Sequence, residues 1–148
     1  VRQRPILAKE GTQAVRYEIQ DNFLHFWFNY FDRHRSLIEI KNFQGLQKIV
    51  TDDYTTYTGR MLERYFKQQF AESFKYKDIG SWWELKGNLN EIDIVALKLE
   101  KNQAVVVEVK RQKKNFKPEL FASKVEHLKN KVLPKYNIES RCLGLEDM

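Results

Sequence analysis

Asn90-Glu91-Ile92-Asp93-Ile94-Val95-Ala96-Leu97, followed by Ala104-Val105-Val106-Val107-Glu108-Val109-Lys110, reads as two β-strands joined through a turn at Lys101-Asn102. Both runs are rich in β-branched residues, and each carries its few charges at one end. Outward from this pair, residues 79–86 predict a preceding strand, with Gly87-Asn88 as its turn. Tyr57, Met61, Leu62, Tyr65, Phe66 and Phe70 recur at helical spacing and predict a helix over 55–73. After the strands, a helix is expected from 118 to 132, closed by Pro134, and then a last strand over 138–145. Strands joined by short turns run antiparallel, whereas a helical crossover permits a parallel addition. The expected class is therefore α/β (α+β), with the order helix, three strands, helix, strand and a mixed central sheet.

The N-terminal third reads differently. Residues 1–20 look extended, with Pro5-Ile6-Leu7 as the strand partner of Arg16-Tyr17-Glu18-Ile19 across a turn at Gly11-Thr12. Asp21 is the expected N-cap of a helix over 21–31. The body of that helix, Phe23-Leu24-His25-Phe26-Trp27-Phe28-Asn29-Tyr30-Phe31, is aromatic nearly all round, so burial on several sides is expected. Shorter helices are expected near 36–41 and 44–51. The chain opens on Val1 in the middle of a pattern, which suggests a piece of a longer protein.

Composition narrows the function classes. In 148 residues, 42% hydrophobic and 31% charged with Gly 6 and Pro 3, there is a core to bury and no disordered or collagenous bias. No apolar run approaches the roughly 20 residues of a membrane helix, so no membrane partner is expected. Cys142 is the single cysteine, which excludes an internal disulfide or a cysteine-based zinc site and fits a reducing compartment. Lys plus Arg number 26 against 20 acids, a net charge of +6 that favours a polyanion such as nucleic acid.

The chemistry sits at the strand ends. Alternation puts Glu108 and Lys110 on one face with Val106, and Val105, Val107 and Val109 on the core face. Antiparallel pairing brings Asp93 beside Glu108. Two adjacent carboxylates resist ionising together, and a divalent cation removes that penalty. Mg²⁺ or Mn²⁺ suits such oxygen ligands, with the Val109 carbonyl as a further one. Lys110 alongside would orient a water or stabilise charge on phosphorus, so the set is coherent for phosphodiester hydrolysis. The plainer reading of Glu108-x-Lys110 is an ion pair on a solvated face. The loop Lys110-Arg111-Gln112-Lys113-Lys114-Asn115-Phe116-Lys117 has five cations and no acid. Arg111, Lys113, Lys114 and Lys117, with Lys124 on the next helix, would grip DNA phosphates without reading sequence. Trp82-Trp83 reads as packing rather than base stacking. His25, His34 and His127 lack metal-ligand spacing, and Cys142 reads as a small hydrophobe.

A carboxylate, a loop, then Glu-x-Lys on the next strand resembles the signature of the PD-(D/E)XK, or restriction-endonuclease-like, superfamily. That resemblance implies an acidic residue on the first helix, for which Glu63 is the match, at the edge of the apolar face. A wider resemblance rests on Arg16-Tyr17-Glu18-Ile19-Gln20-Asp21-Asn22-Phe23-Leu24-His25-Phe26-Trp27-Phe28, on Gly59 with Glu63, on Trp82-Trp83, and on Glu91-Ile92-Asp93-Ile94-Val95-Ala96. These resemble the C-terminal region of archaeal-type P-loop ATPases, although Asn90 stands where that family often has Gly. It implies that 1–52 is a winged-helix tail and aromatic linker, and 53–148 a nuclease-like domain. ATP would bind only upstream, since no G-x-x-x-x-G-K-[ST] occurs here. The implied setting is cytoplasmic, with DNA and the upstream ATPase and winged-helix domains as partners. A catalytically silent docking module that regulates the ATPase is the alternative. A homo-oligomer contact through the aromatic helix is a third expectation.

Overall fold

The computed structural model describes residues 1–85 and 90–148. The Gly87-Asn88 turn lies outside the described residues. The chain divides into two compact units, one of Val1–Gln3 with Arg16–Thr58, the other of Arg4–Val15 with Gly59–Met148.

In the first unit, β1 (Arg2–Gln3) pairs antiparallel with β2 (Arg16–Tyr17). The expected partner Pro5-Ile6-Leu7 is not in this hairpin. Ile6 is 6% exposed and packs in the core of the second unit, where its N–H donates to Ser81 O at 2.9 Å. Pro5 has no N–H to give a ladder, and the Ile6 side chain is apolar enough to be drawn inward. Helix α1 (Asn22–Phe26) begins as expected, with Asp21 accepting from Leu24 N at 2.8 Å. It continues as a π-helical stretch over Trp27–Asp32. Only Tyr30 is buried in the aromatic run, its hydroxyl donating to Asp53 at 2.6 Å. Phe23, Leu24, Trp27 and Phe28 stay exposed, so burial all round is not realised. Helix α2 covers Arg35–Glu39.

Helix α3 runs unbroken from Phe43 to Glu72, joining the two helices expected at 44–51 and 55–73. Residues 52 and 53 fall inside it. Asn42 caps it through a 3.0 Å bond from Gly45 N. The polar stretch between the two apolar runs is held by Lys48–Asp52 at 2.8 Å, a pair four residues apart. The Thr51 and Thr58 hydroxyls bond back to carbonyls four residues earlier, so neither competes for a turn.

The second unit carries a four-stranded sheet of order β3-β4-β5-β6, formed by Tyr76–Trp82, Ile92–Lys98, Gln103–Val109 and Asn137–Leu143. β3/β4 and β4/β5 are antiparallel, and β5/β6 is parallel across the crossover helix α4 (Pro118–Val132). The fold is mixed α/β, in the order read from the sequence. Asn102 makes the β4–β5 turn at φ 56°, a left-handed conformation that asparagine tolerates.

Both sheet faces are covered. Ile92, Val95, Leu97, Ala104 and Val106 pack with Phe121 and Leu128 of α4 and with Leu133. Ile94, Ala96, Val105, Val107 and Val109 pack with Leu62, Phe66 and Phe70 of α3. Val106, expected on a polar face with Glu108 and Lys110, is fully buried. A sheet shielded on both sides needs near-continuous apolar strands, which is why the valine run has no polar side. At Gly80 an added Cβ would lie 3.2 Å from the Ile6 Cβ, so the glycine admits that contact.

Leu128 is fully buried beneath the sheet. Leu128→Ala should lower unfolding free energy by about 3 kcal/mol in urea titrations, because the covered face cannot collapse around the void. A loss of only a few tenths would contradict the packing described.

Candidate functional site

The charges gather at one end of the β4–β5 pair. The ladder's last pair there is Ile94↔Val107, which leaves Asp93 and Glu108 next in register. Against β3, the register slips between Gly80↔Val95 and Trp82↔Ile92, so β4 carries a bulge at Asp93. Such an extra residue re-aims a side chain at a strand end. Ser81 Oγ fixes the bulge by donating to the Asp93 carbonyl at 2.8 Å. Asp93 Oδ2 then accepts from Val109 N at 2.7 Å, closing the strand pair where the ladder stops.

Glu108 is 6% exposed, the one fully buried charged residue among those described. Lys110 Nζ lies 2.8 Å from its Oε1. Lys124 Nζ, reaching over from α4, lies 3.4 Å from both Oε1 and Oε2. Lys124 therefore faces the same charged end as the Glu108 strand, and its ammonium sits on Glu108. Glu63 comes from α3, one residue past buried Leu62 and three before buried Phe66.

Burial pushes the Glu63 carboxyl up to about 7, and the neighbouring Asp93 charge adds to it. Burial likewise lifts Asp93 to about 6 against the Val109 N–H, with the Glu108 charge adding to the rise. For Lys110, burial works to lower the pKa. The Glu108 hydrogen bond and the charges of Glu108, Asp93 and Glu63 outweigh it and raise the value. Lys110 is thus held as an ammonium, suited to stabilising negative charge and unsuited to accepting a proton.

The structure brings together Glu63, Asp93, Glu108, Val109, Lys110 and Lys124. For Val109 it is the amide that is engaged, donating to Asp93. Lys113 is turned to Asp147 at 2.7 Å, while Lys114 and Lys117 are exposed and Arg111 is half-buried. Trp82 and Trp83 are buried, 3% and 5% exposed, as packing requires. Two contributors escaped the sequence reading. Glu91 raises and Lys67 lowers the Glu63 carboxyl. Their signals were present: Glu91 is two residues from Asp93 in a strand pattern, and Lys67 is four from Glu63 on a helix.

The donor set fits a hard divalent cation in its chemistry. It offers hard oxygen atoms, with buried carboxylates that repel one another, and these are the conditions a bound cation relieves. As the side chains stand, among the described residues no three of His, Cys, Asp or Glu are gathered closely enough to hold one.

The raised carboxyls have a stability consequence. Folded Glu63 and Asp93 keep their protons to higher pH than when unfolded, so the unfolded chain ionises first and stability falls as pH rises. The window runs from about 4, where unfolded carboxyls titrate, to about 7, where Glu63 ionises. Glu84 acts in a separate range. Bonds from Asn90 and Lys131 pull it down to about 2, so its contribution grows with pH below 4.5. Thermal midpoints in a chelator should fall between pH 5 and pH 8, and Glu63→Gln should flatten that fall. A midpoint that rises over the same range would contradict the assignment.

Three comparisons with known proteins bear on kinship. No solved structure matches the chain. An uncharacterized protein of Methanocaldococcus jannaschii is 36% identical over 118 residues, covering 74% of this chain and 25% of that protein. The chain thus spans about a quarter of that relative's length. Residues 27–137 match the DUF234 family, described as archaeal and bacterial proteins of unknown function, and the match takes in α3, the whole central sheet as far as the first residue of β6, and every residue of the charged cluster. On that match the chain belongs to the DUF234 family.

Proposed function

We propose that this chain is a PD-(D/E)XK nuclease-like domain from the C-terminal end of an archaeal-type P-loop ATPase, and that it hydrolyses DNA phosphodiester bonds. One observation carries the reading. Asp93 and Glu108 occupy adjacent register positions at the sheet end, with Lys110 on Glu108 at 2.8 Å. The element order and the position of Glu63 on the preceding helix support it. The greater length of the archaeal relative leaves room for an upstream ATPase and winged helix. The setting proposed is cytoplasmic.

Asp93 and Glu108, with the Val109 carbonyl, would hold Mg²⁺ or Mn²⁺. A bound cation of this kind supplies Lewis-acid polarisation and a more acidic water. The chain's own residues do the rest. Val109 N–H fixes the Asp93 carboxylate by donating to Oδ2. Lys110, held as an ammonium, places positive charge where the phosphate becomes more negative. Glu63 completes the acidic lining from the α3 side. Lys114 and Lys117, exposed beyond the strand, would hold the DNA backbone by charge alone.

A second reading has its own observation. Glu108 already faces two ammoniums, and a carboxylate so balanced has less need of a metal. On that reading the domain docks DNA or protein and regulates the ATPase without cutting. Asp93→Asn and Glu108→Gln should each abolish Mg²⁺-dependent cleavage of plasmid and branched DNA, with salt-sensitive DNA binding kept. Cleavage by either variant at the wild-type rate would overturn the nuclease assignment. Metal-independent binding with no cleavage by wild type would establish the docking reading instead.

A further inference from the structure

Lys124 stands where its helix should carry an apolar residue. It follows buried Phe121 by three positions and precedes buried Leu128 by four, which places it on the core-facing stripe of α4. Its side chain is 14% exposed, against 35% for Lys110. A lysine set there sheds most of its water, and that costs free energy unless a buried anion meets it. Glu108 is that anion, with both oxygens 3.4 Å from the ammonium. Lys110 already makes the shorter ion pair with Oε1. A second cation on the same carboxylate is therefore not needed to balance it. Phosphate gripping does not account for the residue either, since it faces inward.

Resting on the metal-site reading above, we propose that Lys124 is a positioning residue, a tethered counter-ion that occupies the Glu108 carboxylate and that a divalent cation must displace. The groups facing Glu108 are then Lys110 on its own strand, Asp93 on β4, Cys142 on β6 and Lys124 on the helix. Of the two ammoniums, Lys124 is the one that spans both oxygens, so its departure frees the edge a metal would take. Lys124 then sets how tightly the site holds its ion, and it is left as a free buried-side cation when the ion arrives.

The test is calorimetric titration of Mn²⁺ into the full 148-residue chain, with circular dichroism confirming the fold of each variant. Lys124→Met keeps the length of the side chain, suits the apolar stripe and removes the charge. With that competing positive charge gone, it should bind Mn²⁺ roughly tenfold more tightly than wild type. Lys124→Arg, which restores a cation, should return affinity to within about twofold of wild type. Glu108→Gln should abolish binding. If Lys124→Met binds Mn²⁺ no more tightly than wild type while Glu108→Gln still abolishes binding, the counter-ion role is wrong and the metal site stands. If wild type and Lys124→Met both fail to bind, with and without a DNA duplex, the metal site and the counter-ion role fall together.

Discussion

The 2.7 Å bond from Val109 N–H to Asp93 Oδ2 is the contact on which the charged end of the sheet depends. The β4–β5 ladder stops at Ile94↔Val107, and beyond it the backbone has no regular partner between these strands. A buried amide left there would cost about 1–3 kcal/mol. A carboxylate takes the place of the missing carbonyl. It holds the strands together for one more step and, in doing so, becomes fixed beside Glu108. The bulge in β4 and the Ser81 hydroxyl on the Asp93 carbonyl set the angle at which that carboxylate arrives.

Everything else about the site follows from a sheet covered on both faces. Along the middle of β4 and β5 there is no room for charge, so the strands are valine, isoleucine, alanine and leucine on either side. Charge is tolerated only near the strand ends, at Asp93 between Ile92 and Ile94 and at Glu108 between Val107 and Val109, and only when partnered or protonated. Glu108 meets this condition with two lysines, one from its own strand and one from α4. Glu63 and Asp93 meet it by holding protons to higher pH than exposed carboxyls do. The unit thus gathers its raised carboxyls at one end of an apolar core.

Much of this was legible in the sequence. The valine run, the turn at Asn102 and the proline-bounded helix from Pro118 to Val132 each carry a local signal strong enough to survive folding. The juxtaposition of Asp93 with Glu108 was readable from hairpin register alone. What was not legible depended on distant contacts. Val106 looked like a residue of a polar face because alternation is a local rule, and nothing nearby says that a second helix will cover that face. Ile6 looked like a hairpin residue because its true partners, Ser81 by hydrogen bond and Gly80 by close approach, are far along the chain. The polar middle of α3 looked like a break between helices, but back-bonded threonines and a Lys48–Asp52 pair carry the helix through it. Lys124 was legible as a cation near the site, but its partner Glu108 was not, because that pairing depends on how the helix packs on the strand.

The central claim is that a divalent cation lies between Asp93 and Glu108. The most direct measurement is a crystal structure of the chain grown with Mn²⁺, read by its anomalous scattering. The account predicts a single strong anomalous peak touching one oxygen of each carboxylate, with the Lys124 ammonium moved off Glu108. A well-ordered sheet end with no peak there, and with both lysines still on Glu108, would contradict it.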